Sequence, residues 1–298
     1  MNKQNFKSVK CCLCDLDDSE LLLKKNWFGL EFNLTRCKRC GLVYVNPRLV
    51  VPDCREEYED NFGHKLDSRE ALSTLDNERA LFEDRFKRRL DEIEKHATPG
   101  RILDIGSHAG FFLASARARG WQPYGVDIEE LSTGYARRKF GLEIFRGELA
   151  EAKFPDGYFK AVTCWHLLEH IPDPLLLLKE IRRILQKDGL LALETPNLAG
   201  RRFKKLNSDW DQIKPRAHLY YFTKDTLAKL LERAGFKVLS VKFYSDTAIA
   251  WELQRVKLNR IAAVITRFYR YLKWLKPPIV FLKTIWGNND DKMVFLAK

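Results

Sequence analysis

Two groups of residues in this sequence have the types and spacing that chemistry needs. The first is Cys11-x-x-Cys14 with Cys37-x-x-Cys40, two knuckles separated by 22 residues. Each knuckle bends the backbone so that two thiolates converge, and two knuckles complete a tetrahedron of four sulfurs around zinc. A closed set of that kind leaves no position for water, so its expected role is structural. Cys12 crowds the first knuckle, but the x-x spacing favours Cys11, and Gly41 directly after Cys40 suits a turn with φ > 0. The second group is His166, Glu169 and His170, at i, i+3 and i+4, with His218 farther along. One helical turn brings the first three to one side. A neutral His there suits removal of a proton from a hydroxyl, with His170 and His166 as candidate bases and Glu169 as their orienter. The same residues could instead hold a divalent metal, or only pin a loop.

Two further features point to a ligand. In ILDIGSHAGFF, Asp104 ends an apolar run, Gly106 opens a turn, and Gly110 lets the following helix pack close to its neighbours. In GVDIEE, Asp127 ends the next apolar run and is placed to accept both hydroxyls of a ribose. The first turn has three residues between Gly106 and Gly110 and lacks the G-x-G-x-x-G that seats a pyrophosphate. A nucleoside with an amino-acid tail fits better than a dinucleotide.

The elements that must position these residues follow from periodicity. From residue 101 short apolar runs alternate with helical segments, the sign of βαβ units and a parallel sheet. The spacing predicts strands near 101–105, 122–127, 143–146, 160–165, 189–194, 237–244 and 292–297, with helices near 110–119, 130–140, 174–186 and 223–234. Seven strands with intervening helices make an α/β, doubly wound sheet of Rossmann type, whose ligands lie at the carboxyl ends of the strands. Before it, Leu81, Phe82, Phe86, Leu90 and Ile93 recur at helical spacing and predict an amphipathic helix over 78–96, ending before Pro99-Gly100.

With 298 residues, 45% hydrophobic and 31% charged, the chain is excluded from the disordered, collagenous and coiled-coil classes. The expected partition is a zinc-ribbon-like domain over 1–54, a connector and helix over 55–99, and the large α/β domain over 100–298. Six of the seven cysteines fall in the first 54 residues, which argues against a disulfide framework. Cys54 and Cys164 read as plain thiols. No run of about 18 uncharged apolar residues occurs and the start lacks an export signal, so a cytoplasmic location is expected.

The formal net charge is +12. Residues 251–286 hold eight Lys or Arg against one acid, Glu252, and so carry a net +7 of it. Ile261, Val264, Ile265, Phe268, Leu272 and Leu275 form one apolar helical stripe there, flanked by Trp251, Trp274 and Trp286. This helical insertion before the last strand suits either packing on the sheet or peripheral contact with the inner membrane face, with nucleic acid a third option. The stretch 197–222 is long for a strand-to-helix connection and reads as a binding loop. Arg201, Arg202, Lys204 and Lys205 would give it a basic rim, and Trp210, Tyr220 and Tyr221 flat faces for a charged, ringed substrate.

Taken in order, ILDIGSHAGFF, GVDIEE, GYFKAVTCWHLLEHIPDP, GLLALETPN and HLYYFTKDTLAKLLERAGF resemble the successive motifs of class I S-adenosylmethionine-dependent methyltransferases. The resemblance covers nearly the whole chain, and its particular form is the bacterial branch with an N-terminal Cys-x-x-Cys pair, a CGL-x-x-x-NPR segment and an EH-x-x-DP loop. It implies that Asp104, Gly106 and Gly110 line the methionine tail of the cofactor and that Asp127, with Ile128 beside it, holds the ribose. Glu148 and Leu149 would border the adenine, and Trp165 would close the site. His166, Glu169, His170 and His218 also resemble the divalent-metal site of ubiquinone-pathway O-methyltransferases and of small-RNA 2′-O-methyltransferases, with His166 where the first Glu stands. Two positions depart from the family pattern: His108 replaces a middle Gly of the first turn, and Lys160 replaces the Asp that opens the fourth strand.

The expected function is transfer of a methyl group from S-adenosylmethionine to an oxygen of a sugar or glycan intermediate, which the resemblance and the basic loop both suggest. RNA 2′-O-methylation and a cofactor-dead zinc-ribbon scaffold are the rivals.

Overall fold

A computed structural model describes residues 6–49, 82–244 and 291–298. Cys54, most of the connector and the basic segment 251–286 lie outside the described residues. The N-terminal part comprises β1 (Phe6–Lys7), β2 (Ser19–Trp27), β3 (Leu30–Cys37), β4 (Val43–Val45) and β5 (Arg48–Leu49). The rest holds α1 (82–93), β6 (Arg101–Ile105), α2 (Phe111–Arg117), β7 (Gln122–Asp127), α3 (Glu130–Phe140), β8 (Glu143–Arg146) and β9 (Phe159–Trp165). It continues with α4 (Pro174–Ile184), β10 (Leu185–Pro196), α5 (Arg201–Leu206), β11 (Tyr220–Tyr221), α6 (Lys224–Arg233), β12 (Val238–Tyr244) and β13 (Lys292–Ala297).

Seven strands form one sheet in the order β12-β13-β10-β9-β6-β7-β8. The pairs β6–β7, β7–β8, β6–β9 and β9–β10 are parallel, and β13 runs antiparallel between β10 and β12. Because β7 and β9 flank β6 on opposite sides, the order reverses at β6, and the loops leaving β6, β7 and β9 open onto one crevice. The expected doubly wound sheet is therefore present, with each predicted strand and helix within a few residues of its predicted place.

Local chemistry explains the helix starts. The Glu129 side chain accepts from the N–H groups of Leu131 and Ser132 at 2.8 and 2.6 Å, capping α3. Asp173 accepts from Leu176 N–H at 2.9 Å, with Pro174 at the first helical position of α4. Thr223 and Thr226 form a reciprocal cap on α6. Gly110 precedes α2 with φ 72°, and a Cβ on it would lie 2.6 Å from Leu142 Cδ1 and 2.9 Å from Ala136 Cβ. Its missing side chain thus serves the close approach of α2 to its neighbours.

The N-terminal strands form their own sheet but take a strand from the C-terminal part of the chain. A four-stranded sheet in the order β11-β4-β3-β2 joins the N-terminal hairpin to the long 197–222 stretch, with Tyr220 opposite Tyr44 and Tyr221 opposite Val43. Trp210, Tyr220 and Tyr221 are all buried. The expectation that they offer flat faces to a substrate is corrected: pairing with β4 turns Tyr220 and Tyr221 into core, and Trp210 belongs to the same hydrophobic cluster as Phe32, Val43 and Val45. Among the described residues no helix is long and apolar enough to cross a membrane.

Candidate active site

The crevice at the switch point is lined by Asp104, Gly106 and His108 from the first turn, Phe112 from α2, and Trp165 and His166 from the end of β9. Asp104 is buried and accepts from Thr163 Oγ1 at 2.6 Å. Burial pushes its carboxyl up to about 8, against the Thr163 hydrogen bond and the positive charge of Arg89. Asp127 stands at the end of β7, where Oδ2 accepts from His108 N–H at 2.7 Å and Oδ1 from Glu129 N–H at 2.9 Å. Burial raises its pKa, opposed by those two N–H groups. His108 adopts φ 46°, in the left-handed region that a Gly would fill without cost, and its N–H anchors Asp127.

The remaining residues expected at the ribose and adenine sit after β7 and β8. Ile128 follows Asp127 directly, Leu149 is buried, and the exposed Glu148 is occupied in a capping box with Glu151. Gly110 does not line the crevice; it faces Leu142 and Ala136. Trp165 is held between the Arg89 guanidinium, 4.1 Å from its ring centroid, and the edge of Phe112, at 5.3 Å. Its indole N–H is buried without a partner, and Trp165 lines the crevice, so these residues fit a ligand that brings an acceptor.

Beyond Trp165 the chain enters a turn that carries His166, Glu169 and His170. Glu169 is 1% exposed, with Oε2 accepting from Thr195 Oγ1 at 2.9 Å and Oε1 lying 3.3 Å from His166 Nδ1. Burial would raise its pKa, but His166, with His170 and His218 behind it, holds it to about 2. His170 Nδ1 donates to Ala217 O at 3.0 Å, which leaves Nε2 as a lone pair. The His218 ring packs edge-on against it, with centroids 4.7 Å apart. Burial lowers His170, and burial with neighbouring His170 takes His218 down to about 3, so both imidazoles are neutral at pH 7.

Ligand atoms of Glu169, His170 and His218 lie within 4.8 Å of one another, and His218 Nδ1 is buried without a partner. Two neutral imidazoles and one ionised carboxylate are a donor set that suits a divalent transition metal better than Mg²⁺. His166 is not part of that group. Its Nε2 lies 2.9 Å from Glu194 Oε1 while its Nδ1 faces Glu169, so neither nitrogen is left to serve as a base.

Glu194, Thr195 and Arg89 are functional neighbours that sequence reasoning missed. Glu194 and Thr195 end the buried β10, and Arg89 projects from α1; Arg89 Nη2 and Nε lie 3.0 and 3.1 Å from Glu194 Oε2. For Arg89 and Glu194 the signal was present as a charge interrupting an apolar pattern: Arg89 within the stripe Phe86, Leu90, Ile93, and Glu194 within LLALETP.

At the N-terminus the four expected cysteines converge. Cys11 Sγ and Cys40 Sγ are 3.4 Å apart, Cys14 and Cys37 3.4 Å, and Cys14 and Cys40 3.9 Å. A disulfide would need about 2.05 Å, whereas a tetrahedron with metal–sulfur bonds of about 2.3 Å has edges near 3.8 Å. Burial raises Cys11 and takes Cys40 to about 11; Cys37 is brought down to about 7 because backbone N–H groups of Cys40 and Arg39 outweigh its burial. Gly41 has φ 80°, and Cys12 lies outside the cluster. Cys164 is a buried thiol within β9.

Comparison with known proteins gives a consistent picture. A family model described as a methyltransferase domain matches residues 76–241, more than half of the chain. A ubiquinone biosynthesis O-methyltransferase of Chromobacterium violaceum is 33% identical over 118 residues, covering 37% of this chain and 50% of the relative. One from Dinoroseobacter shibae is 29% identical over 188 residues, covering 55% and 73%. The chain spans about half the length of most of the curated relatives it matches. Among solved structures, Haemonchus contortus phosphoethanolamine N-methyltransferase 2 in complex with S-adenosyl-L-methionine aligns with a TM-score of 0.57 at 15% identity, over 93% of this chain and 70% of that one. A SAM-dependent methyltransferase from Archaeoglobus fulgidus aligns with a TM-score of 0.52 at 21% identity, over 83% and 100%. At these identities the structural likeness speaks for the fold.

Proposed function

The chain belongs to the methyltransferase-domain family and is a class I S-adenosylmethionine-dependent methyltransferase, and from that premise we propose that it methylates a hydroxyl oxygen held beside Glu169, His170 and His218. The observation that carries this reading is the convergence of those three donors next to the crevice bounded by Trp165 and His166. A neutral amine attacks with its own lone pair and has less need of such a set; a hydroxyl needs its proton removed or its pKa lowered. The relatives named as O-methyltransferases support the same choice of atom.

The cofactor, when bound, supplies a methyl group on a sulfonium centre for in-line displacement. Asp104 and the Gly106 turn would take its amino-acid end, and Asp127 its ribose. Trp165, fixed by Arg89 and Phe112, would cover the reacting side and exclude water. The fit of the second donor set to a divalent cation rests on the orphaned His218 Nδ1 and the neutral imidazoles; such a cation would lower the pKa of a bound hydroxyl. Thr195 and His166 hold the Glu169 carboxylate, and Ala217 O fixes the His170 tautomer. A metal-free reading has His170 Nε2 taking the acceptor proton, favoured by the same tautomer. Cys11, Cys14, Cys37 and Cys40 would hold a structural zinc ion.

The acceptor class remains that of the sequence reading, a sugar or glycan intermediate, whose vicinal oxygens could engage a cation together. The loop aromatics lend it no support, because they are buried. The test is a titration of metal-quantified protein with S-adenosylmethionine, then transfer to sugar nucleotides, catechols and ribose-ended RNA with and without Mn²⁺ or Co²⁺. We expect an O-methyl product lost in His170→Ala and His218→Ala. An N-methyl product, or transfer indifferent to both variants, would overturn the reading.

A further inference from the structure

The second cysteine knuckle is followed by Asn46-Pro47-Arg48. Its last residue, Arg48, is 9% exposed, unusual for a guanidinium. Nη1 donates to Pro172 O at 3.1 Å, Nε lies 3.4 Å from Val45 O, and the guanidinium carbon stands 4.5 Å from the centroid of the Tyr220 ring. Tyr220 OH donates to the same Pro172 O at 3.0 Å. Arg48 therefore touches both chain segments from which the Glu169, His170 and His218 cluster is assembled: the EHIP turn and the strand that follows His218.

The backbone repeats the arrangement. Leu219 N–H donates to Glu169 O at 2.8 Å, and Leu219 O accepts from Val45 N–H at 3.0 Å. Ala217 O, two residues away, receives the His170 Nδ1 proton. The three donors come from segments nearly 50 residues apart in sequence, and Leu219, directly after the third, is clamped between the turn and β4. The cysteine knuckles belong to the same hydrophobic core as Leu168 and Tyr220.

We propose that Arg48 is a positioning residue for the Glu169, His170 and His218 cluster, so that the N-terminal ribbon is part of the frame of the active site. The inference rests on the reading of that cluster as the acceptor-side site. Arg suits the task because one planar group can donate along its edge to Pro172 O and present its face to Tyr220; Lys can do the first but not the second.

The test uses the full chain, zinc-loaded, with Co²⁺ alone as the probe of the cluster and S-adenosylmethionine as the probe of the other end of the crevice. Arg48→Ala should weaken Co²⁺ binding by about ten-fold or more, as loss of an outer-shell partner does. Cofactor affinity should stay within about two-fold, a split that general destabilisation would not produce. Arg48→Lys, the milder change should Arg48→Ala fail to fold, should fall between. Hydrogen exchange at the Leu219 amide should accelerate in both. Wild-type Co²⁺ affinity and unchanged Leu219 protection in Arg48→Ala would overturn the proposal. His218→Ala separates the two readings. If it binds Co²⁺ as wild type does, or if wild type binds none, the cluster reading fails as a metal site. The positioning claim is then decided by Leu219 exchange alone.

Discussion

Arg89 and Glu194, 105 residues apart in sequence, form a buried ion pair with Nη2 3.0 Å from Oε2, at 7% and 5% exposure. Burial lowers the Arg89 pKa, opposed by Glu194, while Arg89 and His166 hold Glu194 well below the usual carboxylate range. Through this pair α1 is fastened to the carboxyl end of β10. Through Glu194 Oε1 it is also linked to His166, and thence to Glu169 and Thr195. One polar chain thus runs from the face of Trp165 to the three-donor cluster, so the two ends of the crevice are held in a common frame.

Replacing Glu194 by Ala leaves the Arg89 charge buried and unpaired, and removes a partner of His166. We expect a loss of about 3–5 kcal/mol in unfolding free energy. The double variant Arg89→Met/Glu194→Met should recover much of it, because it removes the charge together with its partner. Urea unfolding of the three proteins checks this, and a loss below about 1 kcal/mol in Glu194→Ala would mean that water reaches the pair.

Asp104 makes stability depend on pH in the opposite sense to an ordinary surface acid. Its folded pKa, about 8, lies above the unfolded value near 3.9, so the folded state binds the extra proton between them. The contribution is full below about pH 4, declines as pH rises, and is gone once pH passes about 8. Asp104→Asn mimics the protonated acid and should lack this decline. The wild-type stability minus that of Asp104→Asn should therefore fall steadily from pH 5 to 8 and level off at 9. A difference that is flat or rises with pH would show Asp104 ionised throughout.

The parts of this molecule legible in the sequence are those with short-range causes. The strands of the large sheet could be read because their apolar runs end in turn residues, and the helix starts because Glu129, Asp173 and Thr223 are local caps. The cysteine cluster was legible because two identical spacings leave few other uses for four thiols. What could not be read is pairing at long range. Tyr220 and Tyr221 look like any aromatic pair in a polar loop, and only their register against Tyr44 and Val43 makes them core. His166 looks like a base by spacing, and loses that role only because Glu194 arrives from another strand.

The four-sulfur site should reach beyond the ribbon. Cys37→Ser removes one of the four converging sulfurs and should abolish zinc retention, whereas Cys12→Ser should keep one zinc per chain. Since β4 pairs with β11, metal loss should also raise hydrogen exchange across 217–222 while leaving β6 and β7 protected. Metal analysis with exchange mass spectrometry checks both, and protection of 217–222 that survives zinc removal would mean that β11 is held by the large sheet alone.

Asp127 joins the first turn to the second, and this decides what its replacement does to cofactor affinity. Both oxygens already accept backbone N–H bonds, from His108 and Glu129, so the carboxylate is oriented before any ligand arrives and keeps lone pairs for two ribose hydroxyls. Asp127→Ala removes the acceptors and frees the His108 turn. We expect at least about a 100-fold loss in S-adenosylmethionine affinity, or about 2.7 kcal/mol. Asp127→Asn keeps one acceptor oxygen and should lose about ten-fold. His108→Gly is the informative companion: it keeps the N–H that anchors Asp127 and relieves a left-handed side chain, so affinity should hold or tighten. Calorimetric titration of the three variants separates the cases. Unchanged affinity in Asp127→Ala would refute the ribose assignment, and a large loss in His108→Gly would make the imidazole itself part of the cofactor site.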